Sequence, residues 1–129
     1  MKKLCLLLGI SLMPVWAVSA EVYYFDQPAQ LTGVLSTVES RHPNPDFGGA
    51  QTAIKLNKPV FVLVQGEKKT KNDEPMRFIQ LAYGQEVTQF IRKNKNRRVA
   101  ITCKTLFEAH TAHHSTPALC HVDTIKLLK

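Results

Sequence analysis

The sequence lacks a hydrophobic run long enough to cross a membrane. Its longest apolar stretch, Leu4 to Val15, falls short of the roughly 20 residues that a transmembrane helix needs. Two lysines precede this stretch, and the small residues Val18-Ser19-Ala20 follow it, as in a secretory signal peptide. We therefore expect residues 1–20 to be a signal peptide cleaved before Glu21, and residues 21–129 to be a single small domain.

Acidic residues are few. The chain has 10 Asp and Glu against 17 Lys and Arg, a formal net charge of +7, and loss of Lys2 and Lys3 with the signal peptide lowers it to +5. Such a balance attracts anions, so we expect an envelope protein or an anionic ligand as partner. Nucleic acid is not expected, because the basic residues at 93–98 suit the C-terminal end of a predicted helix.

Cysteines are also scarce, and no C-x-x-C redox motif is present. Cys5 lies inside the apolar run rather than at its end, which argues against a lipid anchor. The mature chain then keeps Cys103 and Cys120, and two cysteines in an exported domain usually form one disulfide. We expect that disulfide, and we place the protein in the bacterial periplasm or outside the cell.

Catalytic motifs are missing as well. The sequence has no G-x-S-x-G elbow, no phosphate-binding glycine loop and no paired-carboxylate signature. Ser115 follows His114 and stands near Glu108, but adjacent residues of an extended loop point apart, whereas a triad is assembled from distant segments. We therefore expect a protein that is not an enzyme.

Alternating hydrophobicity predicts a mainly β domain with one short helix. In the strand after Pro28, Leu31 and Leu35 share a face with Gly33, which predicts a bend there. Asn57-Lys58-Pro59 predicts a turn between two further strands, and apolar residues spaced by three and four predict a helix. The predicted elements after the first strand are strands at 52–56, 60–64 and 75–82, the helix at 85–93, and strands at 99–107 and 118–127.

One helix cannot cover both faces of such a sheet, so a closed sheet is the economical arrangement. A five-stranded Greek-key barrel of the OB type has its helix between the third and fourth strands, as here. We expect this OB-like barrel, with an open α+β sandwich as the alternative. In the barrel, residues 41–51 (the first loop) and residues 108–117 (the histidine loop) are the two loops that OB folds use for ligands.

Three motifs resemble the exported bacterial family called domain of unknown function 4431 (DUF4431). They are Leu31-Thr32-Gly33, Ile79-Gln80-Leu81 and the run from Thr105 to Pro117, TLFEAHTAHHSTP. The resemblance covers most of the mature chain. It implies export and the same fold, and it implies no particular activity.

The histidine loop is the candidate functional site. Clustered imidazoles can bind Zn²⁺ or Cu²⁺, with His110, His113 and His114 as ligands; His42 lies in the first loop and His121 in the last strand. Alternatively, Thr111, Ser115 and Thr116 shape a structural loop, or the histidines respond to pH or contact a ligand. The candidate ligand or partner residues are Glu108, His110, Thr111, His113, His114 and Thr116.

These observations predict an exported binding module that presents both loops to a protein partner or an anionic ligand. An inhibitor or an immunity-like protein would be one such module. The alternative is a periplasmic metal-binding protein that uses the histidine loop. We expect no cofactor in the first case, and Zn²⁺ or Cu²⁺ in the second.

Overall fold

The computed structural model describes residues 21–39, 49–110 and 114–129. The predicted signal peptide, His42 with most of the first loop, and Thr111 and His113 of the histidine loop lie outside the described residues. The described part contains six strands and one helix. Their bounds are β1 Glu21–Tyr24, β2 Ala29–Glu39, β3 Ala50–Leu63, β4 Met76–Ala82, α1 Gln85–Lys93, β5 Arg98–Glu108 and β6 Ala118–Leu127.

Five of the described strands close into a barrel. Around it the order is β2, β3, β4, β6 and β5, and β5 pairs again with β2. The β4–β6 pair is parallel, and the other barrel pairs are antiparallel. This mixed closed barrel, with α1 between its third and fourth strands, confirms the predicted OB-like fold over the open sandwich.

The barrel interior is filled by the inward side of each strand. Leu35, Ile54, Ile79, Val99 and Ile101 are at most 1% exposed, and burial of such a side chain contributes roughly 1.5–3 kcal/mol. The helix joins this core through Val87 and Ile91. Its ends suit the helix dipole, with Glu86 in the first turn and Arg92 and Lys93 in the last.

Gly33 allows β2 to serve two neighbours. It pairs with Leu56 of β3 on one side and Val99 of β5 on the other, and a Cβ at this position would clash with the backbone carbonyl of Lys55. The close approach of the two backbones therefore requires glycine.

The structure corrects one local prediction. Asn57, Lys58 and Pro59 do not turn the chain; they lie inside the continuous strand β3. The pairing of β3 with β4 is irregular between Lys55 and Val60, and proline is tolerated at such irregularities because no ladder hydrogen bond is lost. Beyond this point β1 pairs in parallel with Val60–Leu63. It occupies the edge of β3 with which β2 pairs only as far as Leu56.

Cys103 and Cys120 form a disulfide in the barrel wall. Their Cα atoms are 5.4 Å apart, and both residues are fully buried. They are not directly opposite each other, since Cys103 pairs with Val122 and Cys120 with Leu106 across a register shift. The bond joins β5 to β6 below the histidine loop.

Candidate functional site

The histidine loop follows Phe107, which belongs to a row of residues whose side chains point away from the barrel interior. Ala53, Gln80, Leu119 and Phe107 are successive pairing partners across β3, β4, β6 and β5; we call them the outer row. Their sequence neighbours Ile54, Ile79, Leu106 and Cys120 belong to the core. Because side chains alternate along a strand, the outer row lies on the outside of the barrel.

Three of the four residues of the outer row are nevertheless buried, and Phe107 is half-buried. Ala53 is 0%, Leu119 2% and Gln80 5% exposed. The described end of the histidine loop contacts it through Ser115, whose backbone N–H donates to Gln80 Oε1 at 2.6 Å, and Thr116, whose hydroxyl accepts from the Gln80 backbone N–H at 2.9 Å. The described end of the loop therefore lies against the outer face of the barrel.

Gln80 also connects the two predicted loops. Its side-chain Nε2 donates to Gln51 Oε1 at 3.5 Å, while its Oε1 accepts from Ser115. Gln51 was predicted as the last residue of the first loop, but it lies in β3 and pairs with Val38 of β2. Next to it, Thr52 and Tyr83 share a hydroxyl hydrogen bond of 3.0 Å. The Gln80 amide thus contacts the described end of the histidine loop and the start of β3, which follows the first loop.

Three contacts shape the histidine loop itself. Its base is closed by the Ala109 N–H donating to the Pro117 carbonyl at 3.1 Å. Thr116 is 5% exposed, and its hydroxyl donates to the Ala118 carbonyl at 2.6 Å. The His110 backbone N–H donates to Nδ1 of His114 at 2.8 Å.

The rings of this loop pack together. The His114 ring is half-buried and meets Phe107 edge-on, with ring centroids 6.0 Å apart. The His110 ring lies 6.5 Å from that of His114 and is exposed, as is Glu108. His121 is exposed on β6, paired with Ala82 and Thr105, and lies outside this ring contact.

The candidate residues therefore have different environments. Glu108 and His110 face solvent, whereas the Thr116 hydroxyl is used within the fold; Thr111 and His113 fall outside the described residues. Within the described ranges, no group of three or more His, Cys, Asp or Glu side chains can hold a metal ion. Because His113 is not among them, the metal site stays a prediction.

Gln80, Gln51 and Phe107 contact the site and were not predicted as site residues. An outward position in a strand suggests a solvent-exposed side chain, so sequence alternation hides their role. One signal was available, because Gln80 lies in the motif Ile79-Gln80-Leu81 that carries the family resemblance. The motif pointed to position 80, but it did not indicate which residues Gln80 contacts.

Fold and site together define a small, disulfide-linked OB-like barrel whose last loop covers part of its outer face. Among the described residues, no helix has the length and apolar character to cross a membrane.

Residues 78–126 match the model of the family described as Domain of unknown function (DUF4431). Within this region the resemblance predicted from Ile79-Gln80-Leu81 and from the run Thr105 to Pro117 is confirmed. The motif Leu31-Thr32-Gly33 lies outside the matched residues. The matched region contains α1, β5 and most of β4 and β6, and so includes Gln80, the disulfide and the histidine loop. The chain matches no protein in the curated collection.

Proposed function

We propose that this protein is an exported, non-catalytic binding module that presents the first loop and the histidine loop to a protein partner. The partner is another protein of the bacterial envelope, as expected for an inhibitor or an immunity-like protein. An anionic ligand bound by the same loops is the small-molecule form of this proposal. The observation that supports it most is the Gln80 side chain, which contacts Ser115 of the histidine loop and Gln51 at the start of β3, where the first loop ends.

That contact matters because binding loops lose less entropy when they are held in place before the partner arrives. Gln80 is 5% exposed, and its bond with the Ser115 N–H ties the described end of the histidine loop to the barrel. The disulfide fixes the strands below the histidine loop. Glu108 and His110 remain exposed on this supported base, where a partner can reach them.

Two features support export to the periplasm. The sequence begins with a predicted signal peptide at residues 1–20, and a disulfide joins Cys103 to Cys120. Structural disulfides form and persist in oxidising compartments such as the periplasm.

The contacts of Ser115 and His114 support a role other than catalysis. A serine nucleophile needs a histidine nitrogen that accepts its proton and an open path to the substrate. The Ser115 hydroxyl oxygen is buried and has no hydrogen-bond partner among the described residues. Nδ1 of His114 already accepts from the His110 backbone, so it is not available as the base.

The proposal is tested by capture from an envelope extract. Tagged, oxidised protein is compared with the variant Glu108→Ala/His110→Ala, which changes two exposed loop residues, and with Glu67→Ala/Lys68→Ala on the distant 64–75 segment as matched control. We expect a specific protein that is retained by the wild type and the control and reduced at least fivefold by the loop variant. Equal recovery on all three proteins would argue against the loops as the binding site.

Metal binding by the histidine loop is the second candidate, supported by the 6.5 Å separation of the His110 and His114 rings. The hydrogen bond at Nδ1 of His114 restricts how this residue could bind a metal. Because Nδ1 accepts a hydrogen bond, a neutral His114 carries its proton on Nε2. A metal at Nε2 would need the other tautomer and would displace the His110 N–H.

Calorimetry with Zn²⁺ and Cu²⁺ tests this second candidate. Saturable binding at micromolar metal that is lost in His110→Ala/His113→Ala would support it, and the amide resonance of His110 should then shift as its hydrogen bond breaks. Absence of saturable binding by the wild type would eliminate the metal function and leave the proposed binding module unaffected.

A further inference from the structure

The outward side of β2, β5 and β6 forms a second exposed surface, away from both loops. In β2 the inward residues Leu31, Gly33 and Leu35 are buried, while Thr32 and Val34 between them point outward. In β5 Val99 and Ile101 are buried and Arg98, Ala100 and Thr102 point outward. The outward residues of neighbouring strands lie side by side because the strands are paired.

Pairing aligns cations across this surface. Val34 lies between Lys55 of β3 and Arg98 of β5, so these two cations are about 10 Å apart at their Cα atoms, two strand spacings. In the next row Ala100 lies between Thr32 and Lys126. Lys55, Arg98 and Lys126 are all exposed.

A pocket of about 200 Å³ lies at one end of this surface, lined by Leu35, Ser36, Thr37, Lys95 and Asn96. Two hydroxyls, an amide and an ammonium can all donate hydrogen bonds to an anion. Asn96 is held by its backbone N–H, which donates to the Leu35 carbonyl at 2.9 Å, and the Leu35 N–H donates to the Arg97 carbonyl at 3.0 Å. The pocket is therefore anchored to β2.

We call Lys55, Lys95, Arg98 and Lys126, with the hydroxyls of Thr32 and Thr102, the basic face. Among the described acids, Glu21 lines a neighbouring pocket together with Thr32. The acid Asp123 stands at the border, in the register shift between Val122 and Thr124. Arg98 also donates to the backbone oxygen of Lys129 at 2.7 Å, which fixes its guanidinium at the edge of the surface.

We propose that the basic face binds an extended acidic segment of a partner protein. The cations are spread over the outer side of neighbouring barrel strands instead of converging on one point, as donors around a single phosphate do. Alternate side chains of an extended peptide are about 7 Å apart, as are successive rows of the sheet. The six residues that define the basic face lie outside both loops in sequence, so the inference goes beyond the proposed function.

Fluorescence anisotropy with a labelled deca-glutamate peptide tests this inference on the oxidised protein. The face variant is Lys55→Glu/Lys95→Glu/Lys126→Glu. The control variant is Lys68→Glu/Lys71→Glu/Arg77→Glu, which changes exposed cations elsewhere and alters the net charge by the same amount. We expect salt-dependent binding to the wild type, a Kd raised roughly tenfold or more by the face variant, and a Kd changed less than threefold by the control.

Circular dichroism of both variants establishes that they are folded. Equal weakening by the two variants would mean that only net charge matters and would overturn the proposal. A polyphosphate chain is titrated in parallel: if it binds through the same three lysines while deca-glutamate does not bind, the surface recognises phosphate and the acidic-segment proposal is wrong. The Glu108→Ala/His110→Ala variant should bind the peptide like the wild type, which separates this surface from the loops.

Discussion

Single buried polar groups hold the histidine loop on the barrel. The hydroxyl of Thr116 accepts from the Gln80 N–H and donates to the Ala118 carbonyl, so it satisfies two buried backbone groups. Its neighbour differs, because the hydroxyl oxygen of Ser115 is buried without a partner in the described structure. The two adjacent hydroxyls should therefore contribute to stability in opposite ways.

We predict that Thr116→Val lowers the free energy of unfolding by about 1–3 kcal/mol, because it leaves a buried N–H and a buried carbonyl without partners. Ser115→Ala should leave stability unchanged or raise it by up to about 1 kcal/mol, since it removes an unsatisfied group. Urea unfolding monitored by circular dichroism measures both. Thr116→Ser is the rescue control, and equal destabilisation by Thr116→Val and Ser115→Ala would contradict these assignments.

The raised pKa of Tyr23 leads us to expect a loss of folding stability at alkaline pH. Burial, with the nearby Glu21 carboxylate, raises the pKa of Tyr23 above its ordinary value of 10.0. The folded state therefore holds the phenol proton more tightly than the unfolded state does. This contribution is fully present below about pH 10 and is lost as the pH rises through the raised pKa.

We predict that Tyr23→Phe unfolds with a shallower loss of stability above about pH 10 than the wild type. At neutral pH the same variant should be about 1 kcal/mol less stable, because the Tyr23 hydroxyl donates to the Gln30 carbonyl at 2.8 Å. Thermal unfolding from pH 8 to pH 11 checks both effects. The exposed neighbour gives the control, Tyr24→Phe, and identical alkaline profiles for wild type and Tyr23→Phe would refute the prediction.

At the scale of elements, β4 is the support for both loops. Its Gln80 faces outward and is covered, and its amide contacts Gln51 and Ser115. A variant that keeps the size of this side chain and removes its polar atoms should loosen the loops without opening the barrel.

We predict that Gln80→Leu speeds hydrogen exchange of the Ser115 amide by about fivefold or more, since a net hydrogen bond of about 1 kcal/mol is lost. Amides of β5 and β6 should change less. Nuclear magnetic resonance exchange measurements resolve the individual amides. Gln30→Leu, an outward glutamine in β2, is the control; unchanged exchange at Ser115 would mean that Gln80 does not hold the loop.

Some helices and strands could be predicted from the sequence alone, and others could not. The helix Gln85–Lys93 and the strand Ala118–Leu127 were predicted with the observed bounds, because their hydrophobic periods are regular. Asn57-Lys58-Pro59 was predicted as a turn, since propensity does not show that β1 and β4 continue to pair with the strand around an irregularity. The burial of Gln80 depends on a loop 36 residues away in sequence, and no local pattern carries such information.

At the scale of the whole molecule, the disulfide is the covalent constraint on a small barrel. A domain of this size buries a modest core, so a cross-link contributes a large fraction of its net stability. Cys103 and Cys120 enclose a loop for which the chain-entropy model gives roughly 3 kcal/mol.

We predict that Cys103→Ala/Cys120→Ala lowers the free energy of unfolding by about 3 kcal/mol. Dithiothreitol should destabilise the wild type by a similar amount and leave the double variant unchanged, which is the internal control. Urea titrations with and without reductant measure both. A wild-type midpoint that is insensitive to reductant under denaturing conditions would show that the bond contributes little.

In the proposed function, Glu108 and His110 at the exposed end of the histidine loop contact a partner protein in the envelope. Photo-crosslinking in living cells tests it most directly, with a benzoyl-phenylalanine at position 110 and, as control, at position 68 on the distant segment. We predict one covalent adduct of defined mass from position 110, absent from position 68 and reduced by Gln80→Leu. No adduct from position 110, or the same adducts from both positions, would contradict the account.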